Sequence, residues 1–176
     1  IRKSDGNIGI GTSSPSSILH ISNASSPEIR LEDSDATSTF NITTFQNAAG
    51  NLNFNTREDD GTFVSTDYQI FKNAAGANIH KWFIGNSEKL RLDASGRLGI
   101  RNSSPGSQFF NTLVVGDTSG DNGITIQSSA TGRGALAFSD TDSATSGRYD
   151  GYINYNHNST YMSFHVNTGN ERMRIT

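Results

Sequence analysis

The stretch DGNIGIGTSSP at 5–15 sets Gly6, Gly9 and Gly11 around two isoleucines, a pattern with the look of a phosphate-cradling loop. A Walker loop needs Gly-Lys-Ser/Thr opening a helix, and a dinucleotide fingerprint needs G-x-G-x-x-G between strand and helix. Here no lysine follows Gly11, and the TSSPSS that comes next has no helical period, so nucleotide binding is set aside. The four histidines, His20, His80, His157 and His165, form neither an H-x-H pair nor the i,i+4 helical pair of a zinc enzyme. They are expected as surface or hydrogen-bonded structural residues, with no metal site and no cofactor. Carboxylates cluster at Glu32, Asp33 and Asp35, at Glu58, Asp59 and Asp60, at Asp117 and Asp121, and at Asp140 and Asp142. Glycoside hydrolysis needs two carboxylates facing each other across a cleft, one with a raised pKa. These sit instead in Gly/Ser-rich turns, where Asp is expected for its local hydrogen bonds. GDTSGDNG lacks the distal Glu of an EF-hand, and no G-x-S-x-G elbow is present. No enzymatic activity is predicted.

Two further patterns bear on recognition. On a strand, Ile153, Tyr155, Met162, Phe164 and Val166 fall on one face, expected as the core. Tyr152, Asn154, Asn156, Tyr161, Ser163 and His165 then share the other. Tyrosine rings stack on sugars and amides bond hydroxyls, so Tyr152, Asn154, Asn156, Tyr161 and His165 are the candidate receptor or glycan surface. In EIRLED, EKLRLD and ERMRIT, charged and apolar residues alternate. The charged side reads as a solvated outer face, or as one on which Arg30, Arg91 and Arg174 reach acids of a neighbouring chain.

The elements that would position these groups are strands. Apolar spacing of helical period is not sustained over 11 residues anywhere, while strand formers bounded by Gly, Asn, Asp and Ser are everywhere. Strands are predicted at 18–22, 28–32, 39–45, 51–56, 67–72, 78–84 and 89–93, then at 109–115, 123–127, 135–139, 151–156, 161–166 and 172–176. The turns QNAAGN (46–51), KNAAGA (72–77) and NHNST (156–160, with Asn158) supply Asn and Gly where positive φ is needed, which predicts antiparallel meanders.

The 176 residues are 32% hydrophobic and 9% aromatic, with 18 glycines and no cysteine. Ser, Thr, Asn and Gly make up roughly two residues in five. A net charge of −3 argues against nucleic acid as a partner. No apolar run approaches the ~18 residues of a membrane span, so no membrane insertion is predicted. The chain opens on Ile1, so we expect a processed product or a segment of something longer.

Repetition is the dominant signal. Gly6, Ile8, Gly9, Ile10, Ser13, Ser14 and Pro15 return 90 residues later as Gly96, Leu98, Gly99, Ile100, Ser103, Ser104 and Pro105. Glu88, Leu90, Arg91 and Leu92 return 83 later as Glu171, Met173, Arg174 and Ile175. Unit one therefore spans 1–95 (joint 6–36, meander 37–93) and unit two 96–176 (joint 96–130, meander 131–176), and a third signature is expected to follow. Glycine inside so short a strand marks close approach by another backbone, as where several chains wind about a shared axis. Meanders of about 45–57 residues with so few apolar side chains cannot bury a sufficient core alone, and without disulfides the remaining staple is oligomerisation. Inter-chain packing is assigned to Ile8, Ile10, Leu98, Ile100, Leu90, Leu92, Met173 and Ile175.

The pairing of GNIGIGTSSPSSILHIS with YDGYINYNHNSTYMSFHVNTGNERMRIT resembles the shaft-and-knob repeats of bacteriophage tail fibres, of the type found upstream of intramolecular chaperone domains and common in phages of marine bacteria. The resemblance covers most of the chain and is clearest at 5–22, 85–105 and 149–176. It implies an elongated all-β parallel homotrimer with small antiparallel meanders joined by inter-chain β-wound segments. It also implies a virion location, other tail or fibre proteins as neighbours, and a host surface glycan or protein as receptor. The Ser–Lys cleavage dyad of the chaperone family lies in a domain this chain does not contain. Some fibres of this kind carry stacked His-x-His iron sites, but Ser22 stands where the second histidine would fall. A carbohydrate-binding or carbohydrate-degrading tailspike domain, and a bacterial extracellular adhesin or contractile-injection fibre, are the alternatives.

Overall fold

A computed structural model describes residues 6–35, 37, 39–72, 77–141, 150–167 and 169–176. The chain is all-β, with 50% of the described residues in strands and almost no helix among them. By packing it forms two compact units, Ile1–Gly123 and Ile124–Thr176. The packing units thus divide the chain elsewhere than the sequence repeat does, because the glycine strand of the second repeat adds to the sheet of the first.

In the first unit, β1 (Ile8–Ile10) and β2 (Leu19–Ile21) form a two-stranded sheet. β3 (Glu28–Glu32), β4 (Ile42–Ala48), β5 (Asn51–Arg57), β6 (Phe63–Lys72), β7 (Asn78–Ile84), β8 (Ser87–Leu92), β9 (Leu98–Ile100) and β10 (Leu113–Val115) form one eight-stranded sheet in chain order. A 3-10 turn, Pro105–Ser107, lies between the last two. In the second unit β11 (Arg133–Phe138), β12 (Gly151–Asn156), β13 (Tyr161–Val166) and β14 (Asn170–Ile175) make a four-stranded antiparallel meander. Turn chemistry sets the hairpins. Ala49 and Gly50 both take positive φ (50° and 80°), as do Gly85 and Asn86 (56° and 62°), which is the type I′ requirement for a two-residue connection. In the turn after β12, Thr160 rather than Asn158 adopts positive φ. Positions 73–76 of the expected KNAAGA turn, and Asp142, lie outside the described residues.

The joints differ from the expected isolated strands. β1 pairs in parallel with β2, and β9 in parallel with β10, each within its own chain. Only eight residues connect β1 to β2, so this crossover is a tight arch rather than a helix. The glycine in the arch is explained locally: a Cβ on Gly9 would collide with the carbonyl oxygen of Thr12, and one on Gly99 with that of Asn102. Within the chain, the close backbone at each glycine is that of the residue three positions on. Thr12 and Asn102 then accept the Ser14 and Ser104 N–H groups on their side-chain oxygens, at 3.1 and 3.0 Å, repeating the same turn. Arg101 takes φ 55° where the first copy has Gly11 at 75°. The expected strand at 123–127 is absent, and that at 109–115 shortens to Leu113–Val115, leaving Phe109 and Phe110 packed edge-on to each other and exposed.

Candidate functional site

Strand register gathers the apolar side chains onto one face. Directly paired residues share a face, and Ile29, Phe45, Phe54, Tyr68, Trp82, Leu90, Ile100 and Val115 form an unbroken row, one from each of the eight strands. Beside it runs a second row, Leu52, Ile70, His80, Leu92, Leu98 and Leu113. Ring centroids at 4.8 Å (Phe45–Phe54), 5.4 Å (Phe54–Tyr68) and 5.1 Å (Tyr68–Trp82) make an aromatic ladder across four strands. The Tyr68 hydroxyl is hydrogen-bonded to His80 Nδ1, which gives that histidine the structural role expected of it.

The second unit repeats the plan. Leu136, Ile153, Phe164 and Met173 form one row, and Tyr155, Met162 and Ile175 the next. Ile153, Tyr155, Met162 and Phe164 do share a face, as the alternation predicts. A shallow groove of about 360 Å³ runs over it, lined by Ile124, Ile126, Leu136, Ile153, Tyr155 and Met162 among others. Both units carry the same β-bulge, between Trp82 and Phe83 and between Phe164 and His165. It shifts the pairing by one residue, so that Trp82 opposes Leu90 and Phe164 opposes Met173. Without the shift Lys89 and Arg172 would be the partners, and charge would enter the apolar row.

Burial is inverted with respect to polarity. Among the described residues Ile42, 1% exposed, is the buried hydrophobic side chain, joined by the fully buried Pro105. Pro15 is buried as well, and the other buried side chains are polar: Thr44, Asn53, Asn55, Ser65, Asn154, Asn156 and Ser163. Trp82 at 42% and Ile175 at 56% are meanwhile open to solvent. Small polar residues are shielded by cross-strand hydrogen bonds on the opposite face. Asn55 donates to Gln46 (3.3 Å) and accepts from Thr66 (2.9 Å), and Gln69 donates to Asn53 (2.8 Å). Of the eight residues assigned to inter-chain packing, Ile8, Ile10, Leu92, Ile100, Met173 and Ile175 are exposed, and Leu90 and Leu98 are half-buried.

The candidate glycan face is filled by its own contacts. Tyr152 stacks on His165 at 4.1 Å and 11°. Asn154 donates to Ser163 Oγ (3.0 Å), Ser163 Oγ lies 2.9 Å from His165 Nε2, and His165 Nδ1 lies 2.9 Å from the Gly169 carbonyl. The carbonyl requires Nδ1 to carry the proton, which leaves Nε2 to accept from Ser163. Asn156 reaches the Tyr161 hydroxyl (3.4 Å), and the Arg174 guanidinium lies 3.9 Å over the Tyr161 ring.

The arginines find their acids at home. Arg91 grips Glu88 with two hydrogen bonds (2.6 and 2.8 Å), Arg174 grips Glu171 likewise (2.9 and 2.7 Å), and Arg30 pairs with Glu32 (3.1 Å). The Arg174 bond holds the Glu171 carboxyl below its usual range. Among the described residues no group of three His, Cys, Asp or Glu side chains is placed to hold a metal ion, and no helix is long and apolar enough to cross a membrane. No family model, no curated protein and no solved structure matches this chain.

Proposed function

We propose that this chain is a non-enzymatic structural segment of a phage tail fibre, working as a parallel homotrimer that projects a receptor-binding surface toward the host. The observation that carries the reading is the apolar row crossing all eight strands of one sheet while the polar residues are the buried ones. Covering a Leu, Ile or Phe side chain fully is worth about 1.5–3 kcal/mol. A lone chain leaves part of that gain unrealised, since Ile29, Trp82 and Ile100 of that row are still exposed. Contiguous exposed apolar surface marks a contact surface, and three copies of one sheet sharing their faces supply a core that none holds alone. The sequence resemblance to fibre repeats selects the phage fibre among such assemblies. The mechanism is mechanical and multivalent: three tethered copies turn weak receptor contacts into avid attachment.

The test is electron microscopy of the purified chain, followed by incubation with host-cell polysaccharide. Slender rods that release no sugar are expected. Compact globules, or released oligosaccharide, would overturn the reading in favour of a lone domain or a tailspike hydrolase.

A further inference from the structure

We propose that the open edge of β14 is a docking edge for a strand of the glycine-signature type. Such a strand adds antiparallel, with an apolar–Gly–apolar triplet opposite Ile175, Arg174 and Met173. Among the described residues β14 is bonded to β13 alone, whereas β8, its counterpart in the first unit, is bonded to β7 on one side and β9 on the other. Several observations make the two strands equivalent. Glu88, Leu90, Arg91 and Leu92 match Glu171, Met173, Arg174 and Ile175. Each carries the same bulge, with Lys89 or Arg172 as the extra residue, where its pairing with the strand before it passes an aromatic residue, Trp82 or Phe164. Each arginine clasps the glutamate three residues before it.

What β8 receives is therefore a template for what β14 receives. β9 lies with Leu90 opposite Ile100, Arg91 opposite Gly99 and Leu92 opposite Leu98. The Arg101 N–H donates to the Lys89 carbonyl at 2.8 Å and the Asp93 N–H to the Arg97 carbonyl at 3.0 Å, so alternate residues of β8, Arg91 among them, turn their backbone groups to β9. By the same alternation Arg172 and Arg174 present theirs to the open edge of β14. Half of β8 is shielded by its neighbours, while every residue of β14 is exposed. The occupant carries glycine at its centre because its own arch requires it: a side chain at Gly99 would strike the Asn102 carbonyl. That glycine also leaves the facing arginine free to keep its clasp on glutamate. The charges of Glu171, Arg172 and Arg174 discourage pairing with other strands, as on protected natural edges. The inference holds whatever the subunit count.

The probe is a synthetic peptide of residues 95–117, titrated into the intact chain while amide exchange is followed. Saturable one-to-one binding is expected, with exchange at Arg172 and Arg174 slowed about tenfold or more. The control peptide is N-methylated at Gly99. That N–H faces β8, whereas Leu98 donates to Thr112 and Ile100 accepts from Gly116 toward β10, so methylation spares the arch and removes the docking bond. Affinity should fall about tenfold or more. An Arg174→Pro chain, which loses an outward N–H, should bind neither peptide; if it does not fold, the methylated peptide still decides. No binding at a peptide concentration on the order of 1 mM, equal binding of both peptides, or protection away from β14 would overturn the proposal.

Discussion

Leu92→Glu separates a covered apolar face from a wet one. Leu92 is 38% exposed, so about three-fifths of it is already shielded, between His80 and Leu98 on the second apolar row. If that face meets water, the substitution forfeits part of a burial worth about 1.5–3 kcal/mol, or about 1–2 kcal/mol. The melting temperature would then fall by a few degrees at this chain length. If the face is shared between copies, the glutamate enters an apolar environment and must be held neutral. Keeping a carboxyl of ordinary pKa about 4.3 protonated at pH 7 costs about 4 kcal/mol. With the lost packing, each chain loses about 5–6 kcal/mol, and a trimer loses it three times. That sum, about 15 kcal/mol, exceeds what a modest assembly can absorb. Light scattering and circular-dichroism melts on wild type, Leu92→Glu and a Leu92→Met control read the difference. We expect Leu92→Glu to lose assembly while Leu92→Met keeps it. Wild-type mass for Leu92→Glu, with melting only a few degrees lower, would refute the shared-face reasoning.

Three further outcomes follow from local geometry. Gly99→Ala should destabilise the arch by about 1–3 kcal/mol, because its Cβ meets the Asn102 carbonyl, while Gly123→Ala, with open space around it, should not; thermal melts compare the two. Ser163→Ala should cost about 1–3 kcal/mol in urea unfolding, since Asn154 and His165 both lose a partner at a site 0% exposed, and a neutral effect would deny the network. At Asp93 burial pushes the carboxyl up, but hydrogen bonds from the Arg97 backbone, the Arg97 guanidinium and Ser95 outweigh it and leave the group below its ordinary value. Its contribution is therefore complete above the unfolded pKa near 3.8 and fades as pH falls through the lower folded value, so Asp93→Asn should flatten the acid limb of exchange protection at β9 below about pH 4.

Much of the strand map was legible because alternation and turn residues act locally. β3, β7 and β12 fall on the predicted 28–32, 78–84 and 151–156. The two faces of the last meander were legible for the same reason. The Phe45–Phe54 pair was within reach, since a two-residue turn at Ala49-Gly50 forces Ala48 opposite Asn51 and counts back to it. Trp82 opposite Leu90 was not, because counting back from Ile84 and Ser87 gives Lys89 until a bulge adds its extra residue. The parallel arches escaped because pairing of β1 with β2 depends on a backbone reversal over eight residues that no side-chain period announces. Ile124 and Ile126 alternate like a strand yet find no ladder partner among the described residues, because pattern proposes a strand and a neighbour completes it. The alternation places Arg91 and Arg174 outward, on a face read as solvated or as reaching a neighbouring chain, and within the chain each pairs with the glutamate three residues earlier in β8 and β14.

The most direct measurement is the mass of the native particle by multi-angle light scattering across a dilution series. Sharing of the apolar faces predicts a mass near three times the 18.9 kDa chain, with secondary structure lost as the particle dissociates. A folded particle of 18.9 kDa that persists on dilution would contradict it.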